Sequence, residues 1–221
     1  MISIIIPSYG QKDYLAEAIE SALGQTKKAE IIVIDDGSKD GSLEVAKSFR
    51  GIKVISQVNK GLASARNTGI MNATGDYILP LDADDILLDN CVEVIEAAIE
   101  KTGADIVAPS FRTFGVSVGE VIMQDVPSLE DFKTGNRLPY FSAIRKSALL
   151  EVGGYNPKMT WGWEDFDIWF DLLKRRKTLC VLKNILVLYR TKENSMIHEA
   201  DKHKNELMTQ IYNNHRELWP Y

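Results

Sequence analysis

The first 108 residues alternate short, almost wholly apolar runs with segments of helical period, and each of three runs stops at a polar turn. Ile2-Ser3-Ile4-Ile5-Ile6 closes on Pro7-Ser8-Tyr9-Gly10. Glu30-Ile31-Ile32-Val33-Ile34 closes on Asp35-Asp36-Gly37-Ser38, and Asp76 to Leu81 closes on Asp82-Ala83-Asp84-Asp85. Ile52 to Ile55 and Ala104 to Ala108 read as further strands. The helices between them are marked by Leu15, Ile19, Ala22 and Leu23 behind a capping Asp13, by Leu43, Val45, Ala46 and Phe49, by Gly61 to Ala73, and by Asp89 to Lys101. Strands apolar along their whole length are buried on both faces. The expected fold is therefore α/β, a mainly parallel sheet flanked by helices. Such sheets bind ligands outside the carboxyl ends of their strands, so the three polar turns should converge on one crevice.

After residue 108 the alternation gives way to a less regular half. Phe111 to Gln124 reads as two extended segments around Gly115 and Gly119, and Ser128 to Phe132 as a helical turn. A strand over Tyr140 to Ile144, a Gly153-Gly154 turn, a helix from Glu164 to about Arg176, and runs at 178–182 and 185–190 follow. Glu199 to Leu218 reads as a peripheral helix. Without a linker or repeat, 1–221 is expected to be one domain with parts 1–108, 109–196 and 197–221. The 221 residues are 45% hydrophobic and 26% charged, which excludes disordered and fibrous classes. A formal charge of −5 argues against a nucleic-acid partner. Cys91 and Cys180 match no disulfide or metal spacing and read as reduced, buried residues. No basic leader precedes the first apolar run, and no run nears the roughly 20 apolar residues of a membrane span. The expected location is cytoplasmic, compatible with peripheral docking at the inner face of a membrane.

Two acidic clusters carry the chemistry. Asp82, Asp84 and Asp85 lie within four residues and repel one another unless cations or strong donors stand nearby. They fit a hard divalent cation held with substrate phosphates. Equally, they fit a helix start with Asp85 or Asp89 as cap. The second cluster is Trp161-Gly162-Trp163-Glu164-Asp165-Phe166-Asp167. On a helical wheel Asp165 falls inside the apolar arc of Phe166, Ile168, Trp169, Phe170, Leu172 and Leu173, whereas Glu164 falls with Asp167, Asp171 and Arg175 on the polar side. An inward carboxylate at a helix start suits a general base, and also an ordinary cap. Weaker signals remain. Asp35 to Ser38 fits a plain Asx turn, Arg66 either a phosphate ligand or a solvated side chain, and Lys174-Arg175-Arg176-Lys177 a helix end or an anionic-acceptor contact. His198, His203 and His215 have no catalytic spacing and read as exposed.

Taken in order, these turns resemble the family 2 glycosyltransferases of GT-A fold. The residues that carry the likeness are Ile4 to Tyr9, Val33 to Ser38, Gly61 to Gly69 with Ala65-Arg66-Asn67, and Leu81 to Asp85. Gly153-Gly154-Tyr155, Trp163 to Asp167 and Tyr189-Arg190 continue it, over about residues 2 to 196. The resemblance implies an inverting transfer from a nucleotide sugar, usually a UDP-sugar, to a saccharide or glycoconjugate acceptor in polysaccharide assembly. By position it implies that Pro7, Ser8, Tyr9, Asp36, Arg66, Asp82 and Ala83 bind the nucleotide, and that Asp84 holds Mn²⁺ or Mg²⁺. Asp165 would be the base, with Trp163 and Glu164 on the sugar or acceptor side. Many members carry a metal-binding histidine shortly after the Tyr-Arg pair. Here Lys192 stands at that position, with His198 a little farther on. With no membrane helix in the sequence, single-sugar transfer is expected rather than processive synthesis. A nucleotidyltransferase, which would want a glycine-rich basic phosphate loop where Pro7 to Gln11 stands, and a non-catalytic nucleotide-sugar module are the alternatives.

Overall fold

The computed structural model describes residues 1–193 and 200–219. Four parallel strands form the regular half: β1 (Ile2–Ser8), β2 (Glu30–Asp35), β3 (Lys53–Ser56) and β4 (Tyr77–Pro80). They lie in the order β3-β2-β1-β4, with Ser3 opposite Glu30 and Ser8 opposite Asp35, so their carboxyl ends share one edge. Helices α1 (Lys12–Leu23), α2 (Ser42–Ser48), α3 (Leu62–Asn72) and α4 (Cys91–Thr102) connect the strands, α4 after the two-residue strand β5 (Ile86–Leu87). Ile5, Ile32, Ile34 and Ile78 pack on one face of the sheet, and Ile4, Ile6, Ile31, Val33 and Leu79 on the other. Two-sided burial is the physical content of the apolar runs. Gly69 of α3 lets helix and sheet touch, since a Cβ there would lie 2.4 Å from Ile5 Cγ2.

The irregular half joins the same sheet. Strands β6 (Ile106–Gly115), β7 (Gly119–Val121), β8 (Ala143–Arg145) and β9 (Leu179–Thr191) alternate with α5 (Leu129–Phe132), α6 (Lys146–Val152) and α7 (Glu164–Lys174), and α8 (Lys204–Asn214) follows. β8 pairs antiparallel to both β4 and β6, β9 runs parallel to β6, β5 closes the edge on β9, and β7 folds back on β6. The runs at 178–182 and 185–190 are one strand rather than two. The register slips between Pro109 and Phe111, and the exposed Lys183-Asn184 step in the slip mimics a turn. Among the described residues no helix is long and apolar enough to cross a membrane.

Several helix starts differ from expectation because tertiary groups serve them. Asp13 lies in the first turn of α1, and the starting amides are met from the β2–α2 loop and the start of α2: Gln11 N–H donates to Ser42 Oγ (3.1 Å) and Lys12 N–H to Asp40 (3.0 Å). Neither Asp85 nor Asp89 caps α4. Gln25 reaches across to accept the Val92 amide at 2.9 Å. Ser128 does cap α5, in a reciprocal box with Asp131.

Candidate functional site

A cavity of about 750 Å³ opens at the carboxyl edge of the parallel strands. Pro7, Ser8 and Tyr9 from β1, Asp36 after β2, Asn59 to Leu62 before α3, and Asp82 to Asp84 after β4 line it. Pro157, Met159, Thr160 and Glu164 from the α6–α7 region, and Tyr189, Arg190 and Lys192 from the end of β9, close it. The three polar turns therefore meet, as the strand pattern requires. Ser8 Oγ is buried there without a hydrogen-bond partner, an unmet polar atom at the cavity wall.

Each turn is held by backbone-directed bonds. The Asp36 carboxylate accepts Gln57 Nε2 (2.7 Å), Lys60 N–H (3.0 Å) and Gly61 N–H (2.8 Å), so it fixes the loop ahead of α3 while lining the cavity. The Asx-turn reading belongs to Asp35, which accepts the Ser38 amide at 3.2 Å. Asn67 clamps the Gly153-Gly154-Tyr155 turn: its Nδ2 donates to Tyr155 C=O (2.7 Å) and its Oδ1 accepts Tyr155 N–H (2.8 Å). Gly154 has φ +78, and a Cβ there would lie 2.4 Å from Asn67 Oδ1. Two distant motifs are thus one tertiary joint.

The acids after β4 avoid mutual repulsion by taking different partners. Asp82 pairs with Arg66 Nη2 at 2.7 Å. Asp84 pairs with Lys192. Asp85 is 1% exposed and accepts the Tyr140 hydroxyl (2.5 Å) and the Arg190 amide (2.7 Å), while Tyr140 Oη accepts the Asp82 amide at 2.9 Å. Asp85 is therefore a structural pin between this turn and β9. Burial, reinforced by the Asp82 and Asp84 charges, pushes its pKa well up. Burial also lifts Asp82 to about 6 against the pull of Arg66.

Arg66 departs from its expected role. It is 1% exposed and lies behind the cavity wall, with its guanidinium donating to Asp82 on one side and to Glu164 on the other, between the rings of Tyr140 and Tyr155. It reaches the cavity only through those carboxylates. The same bridge corrects the helical wheel, because Glu164, assigned to the polar side, is 4% exposed and lines the cavity. Asp167, assigned with it, is 2% exposed and accepts bonds from Asn156, Asn214 and His215. A wheel assumes one wet face. Here α7 is covered on both sides, by Arg66 and by Asn214 and His215 at the end of α8.

Asp165 is half-buried, and its Oδ2 accepts Asn136 Nδ2 at 2.8 Å. Burial and the adjacent Glu164 charge raise its pKa to about 7, with Arg66 and Asn136 opposing. Burial, reinforced by the charges of Asp85, Asp82, Asp84 and Asp165, pushes the pKa of the Tyr189 hydroxyl up. Trp163 sits at φ +62 and packs edge-on against Phe166 at 5.7 Å, a core contact. The more open indole is Trp161, 45% exposed and stacked on His203 at 4.0 Å. The sequence pattern gives Tyr140 and Asn136 no functional role. Nothing in their local pattern separates them from ordinary strand and loop residues.

Asp167, Asp171 and His215 form a group close enough to hold a metal ion, but they do not line the cavity. Lys174 already stands among them, 2.9 Å from His215 Nδ1 and 3.2 Å from Asp171. Their chemistry is that of a hydrogen-bonded anchor for the chain beyond α8. His215 is 1% exposed, against the expectation of a surface histidine. Lys174 and Lys177 are tied to Glu217 and Glu151, so the helix-end reading of the basic run fits. His198 lies outside the described residues. Cys91 is buried, with burial lifting its thiol to about 12, and Cys180 is partly buried; both are free.

A family profile described as "Glycosyl transferase family 2" matches residues 3–164. The chain is 33% identical over 177 residues to Glycosyltransferase GlyG of Streptococcus pneumoniae, a match covering 69% of this chain and 59% of GlyG. It is 36% identical over 122 residues to the Cholesterol galactosyltransferase of Borreliella burgdorferi, covering 53% of this chain and 34% of that protein. Both matches span less than two thirds of the relatives' lengths. The fold superposes on S. aureus TarS 1-349 in complex with UDP-GlcNAc with a TM-score of 0.75 at 18% identity, covering 97% of this chain and 72% of TarS. The mixed α/β sheet is thus that of the GT-A glycosyltransferases.

Proposed function

The chain belongs to glycosyl transferase family 2, and from that premise we propose that it moves a sugar, with inversion, from a UDP-sugar to a hydroxyl of a saccharide or glycoconjugate acceptor. The observation that carries this reading is the junction of two acidic clusters at one cavity, joined by the Asp82–Arg66–Glu164 bridge. The UDP-GlcNAc complex of TarS supports the donor class.

In this reading Pro7, Ser8, Tyr9 and Asp36 receive the nucleoside, and Asp82 and Ala83 the ribose side. Asp84 is a cavity carboxylate whose side-chain bonding is confined to one oxygen among the described residues, and it fits a hard cation that takes one carboxylate plus phosphate oxygens. Mn²⁺ or Mg²⁺ held there would compensate charge on the departing diphosphate. Asp165, near 7, is the base that takes the acceptor hydroxyl proton, because a base titrating close to working pH is both available and strong enough. Arg66 keeps Glu164 and Asp82 fixed on either side of the reacting groups and acts as a positioning residue. Glu164 faces the sugar, and Trp161, 45% exposed and stacked on His203, offers aromatic surface to an acceptor ring. A cytoplasmic site with peripheral access to a lipid-linked acceptor suits this chemistry.

A thermal-shift panel of nucleotide sugars with and without Mn²⁺ tests the donor class. A UDP-sugar at 100 times its Kd should stabilise by about 2.7 kcal/mol. No shift with any nucleotide would end the reading. Stabilisation without sugar hydrolysis or transfer to any acceptor tested would favour a binding module instead.

A further inference from the structure

Three positive groups stand beside the acids, Arg66 from α3 and Arg190 and Lys192 from the end of β9, and their partners divide the work among them. Arg66 pairs through its two terminal nitrogens with Asp82 and Glu164 and does not line the cavity. Arg190 lies between the rings of Tyr14 and Phe114, at 4.8 and 4.4 Å, and donates to the Asp84 carbonyl (2.8 Å) and to Glu17. Lys192 also lines the cavity, and its side chain is 22% exposed. Its ammonium pairs with Asp84, lies 3.5 Å from Gln11 Oε1 and stands 4.8 Å over the Tyr14 ring.

We propose that Lys192 is a phosphate-binding cation built into the cavity, giving the chain a hold on the donor's diphosphate that needs no divalent metal. The proposal deepens the reading of the cavity as a nucleotide-sugar site and rests on it. An ammonium carries three donors and a compact charge; one carboxylate leaves donor capacity for an incoming phosphate oxygen. Partial burial weakens solvent screening, so the attraction exceeds that of a surface lysine. Tyr14 and Gln11 hold the charge in place before the ligand arrives, which lowers the ordering cost. Asp84 keeps the ammonium at the diphosphate end. Lys60, the other lysine of the lining, belongs to the loop that Asp36 fixes ahead of α3.

The test compares UDP with uridine by titration calorimetry in EDTA, using the intact chain, because the ratio of the two affinities isolates the diphosphate. Wild type should bind UDP more tightly than uridine without metal. Lys192→Met should reduce that ratio about tenfold, the size of one charge-assisted contact, while uridine affinity stays unchanged as a check on folding. Lys192→Gln, which keeps a donor toward Asp84 without the charge, should behave alike and stands in if the first variant fails to fold. A ratio unaltered in a folded variant, or UDP binding by wild type that vanishes in EDTA and returns with Mn²⁺, overturns the proposal. Absence of UDP binding even with Mn²⁺ sinks the nucleotide-site reading beneath it.

Discussion

Replacing Arg66 by Met removes the only cation set between Asp82 and Glu164 among the described residues and leaves a side chain of similar length in its place. The side chains of Arg66 and Glu164 are 2% and 6% exposed, so water cannot take over the lost contacts. Breaking a buried ion pair from one side costs about 3–5 kcal/mol, since a desolvated charge is left behind. For a chain of this size each kcal/mol moves the midpoint by roughly 2–4 °C, so unfolding should shift down by roughly 6–20 °C. The loss should depend on pH. Without the guanidinium, the Asp82 carboxyl, already raised by burial, takes up its proton more readily in the folded state than unfolded, so the variant loses further stability as pH rises through that raised value. The deficit at pH 8 should therefore exceed that at pH 5.5. Adding Glu164→Gln should recover part of it, because one stranded charge is gone. Circular dichroism melts of wild type, single and double variants at both pH values measure this. A midpoint within about 2 °C of wild type for Arg66→Met, or no recovery in the double variant, would refute the bridge as a support of the fold.

Asp165→Asn should abolish transfer in a radiolabelled-sugar assay while calorimetric UDP affinity stays within a few fold; normal turnover removes Asp165 as base. A base titrating near 7 makes the rate rise with pH through about that value, and Asn136→Ala, which takes away a bond favouring the charged form, should move that limb upward. An unmoved limb would separate Asp165 from the pH dependence. Asp84→Ala should erase the gain in UDP affinity that Mn²⁺ provides, and an unchanged gain would place the metal elsewhere. Gly154→Ala meets both a left-handed backbone at φ +78 and the Asn67 side chain. Strain plus two weakened hydrogen bonds should cost about 3 kcal/mol, read as a midpoint roughly 6–12 °C lower.

Strand and helix placement in the first hundred residues follows from local rules. Two-sided burial leaves runs such as Ile2 to Ile6 with few other states, and the turn residues after them can only gather at one sheet edge. β9 was harder to read, since its bulge interrupts the apolar run just where Lys183 and Asn184 face solvent. His215 departs from its exposed reading for a similar reason. Periodicity reports how a helix divides its surface, but not what later packs against the polar part.

The chain's own residue order determined the α/β sheet, the crevice at its carboxyl edge, and the acidic turns that face it, because each is set by contacts along a few residues. Which acid does what was decided only in three dimensions. Arg66 turns Glu164 inward, His215 and Asn214 bury Asp167, Tyr140 and the Arg190 amide claim Asp85, and Lys192 takes Asp84. A carboxylate's character depends on its solvation and on the charges within a few ångströms. Those neighbours come from positions as far apart in the chain as residues 84 and 192, so no local pattern can carry them.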